Sequence, residues 1–500
     1  MLFKKLLSKP TLLFYFQRCT TKLPKLLFFC YTLVTFFGIA SLGVMIGWFG
    51  KSYNIEHTSL LTLTLDFSMI NKAKIDVANS TVKPDYFDEA LQTNNDTPVT
   101  NLSMSEIKEI KAKTINPIVG THNFITSAYK DHRLKDMIRV VAIVLRRKIG
   151  NLFCHLCDNK LDSCNVTKAV VKVRAKHRYY PEFSHTMAEI LCDSSTSRSA
   201  TKVRIANSTR MEKTLLHIPI RNIIKPPLSY NFTVCLSQIF NKYNDALQIV
   251  QTMEMYKILG IQRVAIYNIS CGPDVEKVLK HYAHEGILEV IPWNIHDFMK
   301  PSEGWNPRGS PGDIHYHGQL VSLNECLNRY MFQSKYILFH DFDEIVLPYK
   351  HKNLNEMMSY LERLHNQTTI GEIKIKRYLF QEKDASFKAD TNLHSKKWQS
   401  GMNILEYMSG ISEWRPKVIV DPRQIVQIAV HETLQTYGKK ILSIDLKPDI
   451  ATIFHWKNSK VRRSKNMKIK KGDKKDTRLR DFSATLIQNV DKVLQQCGFS

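Results

Sequence analysis

The chain has 500 residues, of which 43% are hydrophobic, and it carries a formal net charge of +25 at pH 7. This length exceeds that of one typical domain, and the apolar fraction is sufficient for a large core. The basic excess is spread over the chain and is densest between residues 457 and 480, but no zinc-finger or RNP-type motif accompanies it. We therefore expect no nucleic-acid partner.

The first predicted element is a membrane anchor at residues 26–50, which contain no charged side chain. A helix of this length crosses a hydrocarbon core of about 30 Å. Residues 1–25 contain lysine and arginine but no acidic residue, a bias that keeps such a tail in the cytosol. A cleaved signal peptide is the alternative, but the apolar run is longer than a signal-peptide core. The pattern favours a single-pass type II protein with its remaining residues in the lumen.

Glycosylation sequons and cysteines follow the predicted anchor, on the side where glycans and disulfides form. Cys154 and Cys157 could instead be half of a zinc site or a redox pair, but no second Cys-x-x-Cys follows. Disulfides are therefore the favoured use of these cysteines. The sequons begin at Asn79, Asn95, Asn101, Asn165, Asn207, Asn231, Asn268 and Asn366. The cysteines after the anchor are Cys154, Cys157, Cys164, Cys192, Cys235, Cys271, Cys326 and Cys497.

Composition divides the lumenal part into three regions. Residues 51–115 are polar and are typical of a stem. Residues 116–225 contain four cysteines and short β-rich segments such as 138–144, which predict a small β-rich domain with disulfides. Residues 226–500 form the third region, and their pattern is different.

Strands and helices alternate from residue 226 onwards. This alternation predicts an α/β fold with a mostly parallel sheet, right-handed crossovers and flanking helices. Neither Gly-x-x-x-x-Gly-Lys nor Gly-x-Gly-x-x-Gly occurs, which argues against P-loop and Rossmann dinucleotide enzymes. Strands are predicted at 232–236, 263–267, 288–292 and 336–340, and helices at 245–259, from an Asp274 cap to Gly286, and at 319–332.

Three carboxylates, Asp341, Asp343 and Glu344, follow the strand at 336–340. Asp-x-Asp places two side chains on the same side of an extended segment, and open α/β sheets bind ligands at the carboxyl ends of their strands. A divalent cation, in the lumen mostly Mn²⁺, would relieve the repulsion and act as a Lewis acid on a departing diphosphate. Asp343 is the first candidate ligand; Asp341 is the second, or a contact to the donor. An acidic turn without a metal is the alternative.

The run from about Phe232 to His455 resembles glycosyltransferase family 92. The resemblance implies a GT-A fold, a UDP-sugar donor, Mn²⁺ and an inverting transfer, as in β-1,4-galactosyltransferases that act on glycoprotein glycans. One departure is Lys457, which follows Trp456 where the family pattern has arginine. The matching segments are 254–260, 291–293, 316–319, 324–326, 339–344, 429–432 and 454–456.

Several polar residues outside the acidic run are candidate site residues. His455 and His431 come at the ends of apolar segments and are candidate metal ligands, since imidazole suits Mn²⁺. His317 and Gln319 lie in a loop that could face the donor, and Lys417 could pair with its phosphate. Each of these could equally be a structural residue.

An inverting transfer needs a general base near the acceptor hydroxyl, normally a carboxylate. Glu413 and Glu432 are candidates for this base, and Glu406 is a third. We therefore expect a Golgi enzyme that moves galactose from UDP-galactose to a glycan hydroxyl on glycoproteins. Two other functions stay open: a non-catalytic carbohydrate-binding protein on the same fold, and a metal-dependent phosphotransferase or hydrolase that uses the same acids.

Overall fold

The structure is a computed structural model, and the residues that it describes begin at Lys113. The predicted tail, the anchor at 26–50 and almost all of the predicted stem therefore lie outside the described residues. Within the described part, no helix is long and apolar enough to cross a bilayer. The described residues are 113–158, 164–173, 182–210, 216–366, 368–380, 407–438, 441–456 and 474–499, with the backbone alone at 379–380, 407–414, 456 and 474–475.

The described elements are strands, α-helices and short 3-10 helices. The strands are β1 (Asn116–Pro117), β2 (Phe124–Lys130), β3 (Met137–Leu145), β4 (Phe153–Cys157), β5 (Cys164–Lys168), β6 (Val170–Lys172), β7 (His185–Asp193), β8 (Lys202–Ala206), β9 (Ile218–Arg221), β10 (Tyr230–Ile239), β11 (Arg263–Asn268), β12 (Leu288–Pro292), β13 (Ser334–His340), β14 (Glu344–Pro348), β15 (Ile370–Phe380), β16 (Tyr407–Val420), β17 (Ile425–Ile428), β18 (Thr433–Thr436), β19 (Leu442–Asp445), β20 (Ala451–Trp456) and β21 (Lys474–Lys475). The α-helices are α1 (Ala246–Ile258), α2 (Pro273–His284), α3 (Gln319–Tyr330), α4 (Leu354–Leu364) and α5 (Ser483–Gln496). The 3-10 helices are Ile295–Asp297, Tyr316–Gly318, Pro422–Gln424 and Arg478–Phe482.

The first sheet contains β1 to β9 and is built almost entirely from antiparallel pairs. Its strand order is β5-β4-β8-β9-β2-β3-β7-β6, with β1 beside β2. The longest pairing joins β3 to β7, from Met137 opposite Asp193 to Leu145 opposite His185. The β-rich character predicted for this region is therefore observed, whereas its status as a separate domain stays a prediction.

The second sheet has the order β12-β11-β10-β13-β16-β15-β20-β14, with β19 beside β15 and β21 beside β16. Strands β12, β11, β10 and β13 are parallel to one another, as predicted. The other half departs from the predicted mostly parallel sheet only in part. There β16 is antiparallel to both β13 and β15, and β14 is antiparallel to β20, whereas β15 is parallel to both β19 and β20. The sheet is mixed because β16 pairs in the antiparallel sense with β15, the strand that precedes it in the chain.

Alternation along β10 explains how the second sheet buries both of its faces. Phe232, Val234 and Leu236 point into a core that also contains residues of α1, α2, α4 and α5. Cys235 points the other way, into a core shared by α3 and by residues of the first sheet such as Tyr129. A strand buried on both sides reads as a continuous apolar run, which is why the sequence predicted it correctly.

The helices begin close to their predicted positions. Asp245 caps α1 by accepting a hydrogen bond from the backbone of Gln248 at 3.0 Å. The predicted Asp274 cap is wrong, because α2 begins at Pro273 and Asp274 lies in its first turn. The Asn244 side chain accepts the backbone hydrogen bond of Asp274 instead, at 2.9 Å.

Disulfide use, which the sequence favoured, is confirmed. Three bonds lie within the described residues: Cys154–Cys192, Cys157–Cys164 and Cys235–Cys326. The third joins β10 to α3, the two elements that carry polar residues of the candidate site. Cys271 and Cys497 are free thiols.

Candidate active site

The acidic run forms a tight turn between two strands of the second sheet. The backbone N–H of Glu344 donates to the Asp341 carbonyl at 3.1 Å, and the Asp341 N–H donates to Glu344 Oε2 at 2.9 Å. β13 ends just before this turn, and β14 begins at Glu344. Since Glu344 pairs with His455 across β14 and β20, the turn lies beside a histidine that is 111 residues away in the sequence.

Lys417 lies between two of the three carboxylates. Its Nζ is 2.7 Å from Asp341 Oδ2 and 2.9 Å from Glu344 Oε2, and only 2% of its side chain is exposed. Arg377 adds a longer contact of 3.4 Å to Glu344. The pairing of β16 with β13, which sets Val418 opposite Phe339, brings Lys417 to this position.

This arrangement keeps Lys417, Asp341 and Glu344 charged. Burial alone would raise the pKa of Asp341 and of Glu344, but Lys417 holds both pKa values below their ordinary range. Burial would likewise lower the pKa of Lys417, and the two carboxylates raise it above its ordinary value. Lys417 was a candidate for pairing with a phosphate, and the structure places its ammonium against protein carboxylates.

A short hydrogen-bond chain connects Asp341 to the start of α3. Gln319 Nε2 donates to Ser237 Oγ at 2.6 Å, and Ser237 Oγ donates to Asp341 Oδ1 at 3.1 Å. Both oxygens of Asp341 therefore have partners, one in Ser237 and one in Lys417. Gln319, a predicted donor contact, thus lies close to the acidic turn.

Asp343 and His455 form a second, more open pair. His455 Nε2 is 2.9 Å from Asp343 Oδ2, and 41% of the Asp343 side chain is exposed. Burial lowers the pKa of His455, but the hydrogen bond and charge of Asp343 outweigh it, so the pKa lies above the ordinary value. Within the described residues, His455 Nδ1 is buried without a hydrogen-bond partner.

The turn before α3 contains three consecutive left-handed residues, Tyr316, His317 and Gly318, with φ of 38°, 53° and 76°. At Gly318 the positive φ would strain any other residue, and an added Cβ would also lie 2.9 Å from Ile295 Cδ1, so glycine is favoured. The backbone is strained at the two non-glycine residues, and strain of this kind clusters at functional sites.

The His317 ring is 1% exposed and stacks on Phe240, with ring centres 4.0 Å apart. Neither of its ring nitrogens has a hydrogen-bond partner among the described residues. Burial lowers the pKa of His317 to about 4, so the ring is neutral at neutral pH. A buried polar group without a partner costs folding free energy, which is consistent with a role in binding.

The remaining candidates are placed as follows. His431 Nδ1 is 3.1 Å from the Pro416 carbonyl, and burial together with Lys417 lowers the pKa of His431 to about 4. Glu432 lies beside it in the turn between β17 and β18, and its carbonyl accepts from the backbone of Ala429 at 2.9 Å. Glu413 lies on β16, where the backbone alone is described, and Glu406 lies outside the described residues.

The Asp343–His455 pair fits a divalent cation. A carboxylate oxygen and an imidazole nitrogen are suitable ligands for Mn²⁺, and the exposed side of Asp343 leaves room for ligand oxygens. Asp341 is less suited, because Ser237 and Lys417 occupy both of its oxygens. These residues form no preassembled cluster of three ligands: in the described part of the chain, one group alone has that spacing, Cys157, Cys164 and His217, and a disulfide consumes its thiols.

Sequence reasoning missed several residues of the site. Ser237 and Phe240 had no local signal, because a serine and a phenylalanine at the end of a strand are common. Arg377 was also missed, since its approach to Glu344 depends on the pairing of distant strands. Tyr316 belonged to a segment that carried the family resemblance, but its backbone strain has no signature in the sequence.

Comparisons with known proteins give concordant results. A sequence profile of glycosyltransferase family 92 matches residues 230–496. A beta-1,4-galactosyltransferase from Caenorhabditis elegans is 23% identical over 355 residues, which cover 68% of this chain and 75% of that protein. A galactan beta-1,4-galactosyltransferase from Arabidopsis thaliana is 27% identical over 252 residues, which cover 47% of this chain and 46% of that protein. Among solved structures, S. aureus TarS in complex with UDP-GlcNAc is 12% identical, with a TM-score of 0.26 over 48% of this chain and 62% of that one, too low to carry an argument.

Proposed function

This chain belongs to glycosyltransferase family 92 and is a glycosyltransferase, and on that premise we propose its reaction. It transfers galactose from UDP-galactose to a hydroxyl of a glycan on a glycoprotein, with inversion and with Mn²⁺ as cofactor. The catalytic part has a GT-A-like arrangement and works in the Golgi lumen, held there by an anchor at residues 26–50.

The observation that carries this proposal is the Asp343–His455 pair at the edge of the acidic turn. The pair is open on one side, it offers one carboxylate and one imidazole, and it lies next to Asp341. Mn²⁺ held here would supply Lewis-acid stabilisation to a leaving diphosphate. This is the chemistry that a transferase using a nucleotide sugar needs most.

The other charged residues support the pair without binding the ion. Lys417 neutralises Asp341 and Glu344, so the turn does not require a cation in order to fold. Ser237 and Gln319 hold Asp341 in one orientation beside the pair. The Gln319–Ser237 hydrogen bond ties the N-terminus of α3 to Asp341, and the dipole of this helix would favour negative charge nearby.

Donor and acceptor are proposed from the relatives. The two named above carry beta-1,4-galactosyltransferase in their names, which supports galactose as the transferred sugar. A base near the acceptor is still required for inversion, and Glu432 and Glu413 are the carboxylates that we propose for it. Glu432 follows His431, whose imidazole lies close enough to Asp341 to influence its pKa.

Incubating the purified full-length protein with UDP-sugars and a glycan array, with and without EDTA, tests the proposal. We expect transfer from UDP-galactose, loss of transfer in EDTA and recovery on addition of Mn²⁺. Transfer that is indifferent to EDTA would contradict the metal, and a preference for another UDP-sugar would contradict the donor. Phosphate release without sugar transfer would instead favour a phosphotransferase or hydrolase.

A further inference from the structure

Trp305 is an exposed aromatic side chain close to the candidate site. It is 59% exposed, whereas Trp293, a short distance earlier in the chain, is 1% exposed. An exposed indole presents a wide, flat apolar face against which a ligand can pack.

The Trp305 ring and its backbone both have partners in the structure. The guanidinium carbon of Arg415 lies 4.7 Å from the ring centre, a cation–π contact. The Trp305 carbonyl lies 3.1 Å from His315 Nε2, within hydrogen-bond distance. The neighbouring backbone is also tied down, because Gly304 N–H donates to Ser310 Oγ at 2.8 Å.

Two routes through the structure connect Trp305 to the acidic turn. Arg415 precedes Lys417 on β16 by two residues, in a part of the strand where its pairing with β15 shifts register. Lys417 in turn contacts Asp341 at 2.7 Å. By the second route, His315 adjoins Tyr316, whose pKa is raised by burial and by the nearby charges of Asp341 and Asp343. Arg415 and His315 thus link Trp305 to β16 and to the turn before α3, both of which adjoin the acidic turn.

We propose that Trp305, backed by Arg415, is a stacking platform for a pyranose ring of the acceptor glycan. The C–H face of a pyranose is apolar and flat, and an indole presents the widest aromatic face for it. The openness of the platform suits an acceptor that extends into solvent, since a nucleotide is held in an enclosed pocket with polar partners for its base. This inference rests on the proposed transfer to a glycan and deepens it by assigning a residue to the acceptor.

The test compares Trp305→Ala, Trp305→Leu and Trp305→Tyr in the full-length protein. For Trp305→Ala and Trp305→Leu we expect the KM for the acceptor glycan to rise about tenfold, while the KM for UDP-galactose and its slow hydrolysis by water stay unchanged. Trp305→Tyr keeps a flat ring and should stay within about threefold of the wild type. Leucine separates stacking from simple apolar contact, because it fills space without presenting a face.

Tyr437→Ala is the matched control. Tyr437 is a partly exposed aromatic that also lies under an arginine, Arg133, at 5.2 Å from the ring centre. The Tyr437→Ala substitution should leave the acceptor KM unchanged. A rise in the donor KM for Trp305→Ala, or no change in either KM, would overturn the platform.

Direct binding separates this inference from the proposed reaction. Binding of the protein to immobilised N-linked and O-linked glycans, measured without any donor, should fall about tenfold in Trp305→Ala and not in Tyr437→Ala. Equal binding by all variants, or no binding by the wild type, would refute the platform even if transfer is observed. A wild-type protein that binds glycans through Trp305 but transfers no sugar would refute the proposed function and leave the platform standing.

Discussion

At the scale of single residues, Lys417 determines whether the acidic turn can exist. Glu344 is fully buried, and Lys417 is the closest cation to it and to Asp341. The three groups therefore form a charge unit in which each member depends on the others. Removing one partner from a buried pair leaves a charge without compensation.

The substitution Lys417→Met keeps the length of the side chain and removes its charge. We expect the free energy of unfolding to fall by about 3 kcal/mol or more. Denaturant titration at pH 7 measures this change. Lys350→Met is the control, since Lys350 pairs with Asp449 on the surface and its loss should be undetectable. Wild-type stability of Lys417→Met would show that the turn does not need its ammonium.

Asp343→Asn should leave stability unchanged and reduce activity. Its side chain is 41% exposed and contacts His455, so folding does not depend on its charge. We expect the Tm to stay within a degree or two of the wild type, whereas the transfer rate falls at least about a hundredfold because a ligand of the cation is weakened. Asp449→Asn, also an exposed aspartate, is the control. Transfer at the wild-type rate in Asp343→Asn would exclude the proposed metal site.

The residues of the site differ in how visible they are in the sequence. Asp341 and Asp343 were predictable because both lie in one short segment at the end of an apolar strand. The position of Lys417 between the carboxylates was not, because the pairing of β16 with β13 is a contact between segments far apart in the chain. Local sequence patterns give information about residues that are close in the sequence, and they do not show which distant strands pair.

At the scale of elements, the turn that leads into α3 combines strain with buried imidazole. His317 has φ of 53° and lies under Phe240, with its pKa lowered by burial to about 4. An ordinary histidine has a pKa of about 6.5 in an unfolded chain. Below pH 6.5 the unfolded chain therefore binds a proton that the folded chain does not. The contribution of His317 to stability is complete above pH 6.5 and is lost as the pH falls toward 4.

His317→Phe should flatten this pH dependence. Between pH 6.5 and 5.5 the wild type should lose about 1 kcal/mol more stability than the variant. Phenylalanine preserves the stacking on Phe240 and has no nitrogen to desolvate. Unfolding titrations at both pH values measure the difference, and His284→Phe is the control, because His284 is an exposed residue at the end of α2. Equal losses in the wild type and in His317→Phe would contradict the assigned pKa shift.

Element prediction succeeded where the pattern was local. β10 to β13 and α1 to α3 were found because apolar periodicity, caps and glycines mark their ends. The antiparallel pairings of β16 and β14 were not predicted, because nothing local distinguishes a strand that returns beside its predecessor from one that crosses over. The antiparallel pairing of the long strands β15 and β16 therefore makes the sheet mixed rather than mostly parallel.

At the scale of the whole molecule, one of the apolar cores is formed by residues of both sheets. Glu325 of α3 is fully buried and accepts from the hydroxyls of Tyr129 in the first sheet, at 2.5 Å, and of Tyr267 in the second. Arg329 compensates its charge at 2.6 Å. On the same interface, Arg133 Nη1 donates to the Ile425 carbonyl at 2.5 Å. These contacts make the first sheet part of the support of α3.

We therefore expect residues 226–500 to be unable to fold alone. Without the first sheet, Glu325 loses a hydrogen-bond donor and an apolar face of α3 is exposed to water. The full-length protein should show a single calorimetric unfolding transition across residues 113–499, and the fragment should be insoluble or lack a transition. A soluble fragment with its own sharp transition would show instead that the sheets are independent.

The Cys235–Cys326 bond has a practical consequence for producing this protein. It joins β10, which carries Ser237, to α3, which carries Gln319, so we expect it to stabilise the alignment of Asp341. Protein made in the reducing cytosol of a bacterium would lack this disulfide, and we expect its transfer rates to be lower for that reason. An insect or mammalian secretion host, or an oxidising bacterial strain, is the appropriate source for every assay described above.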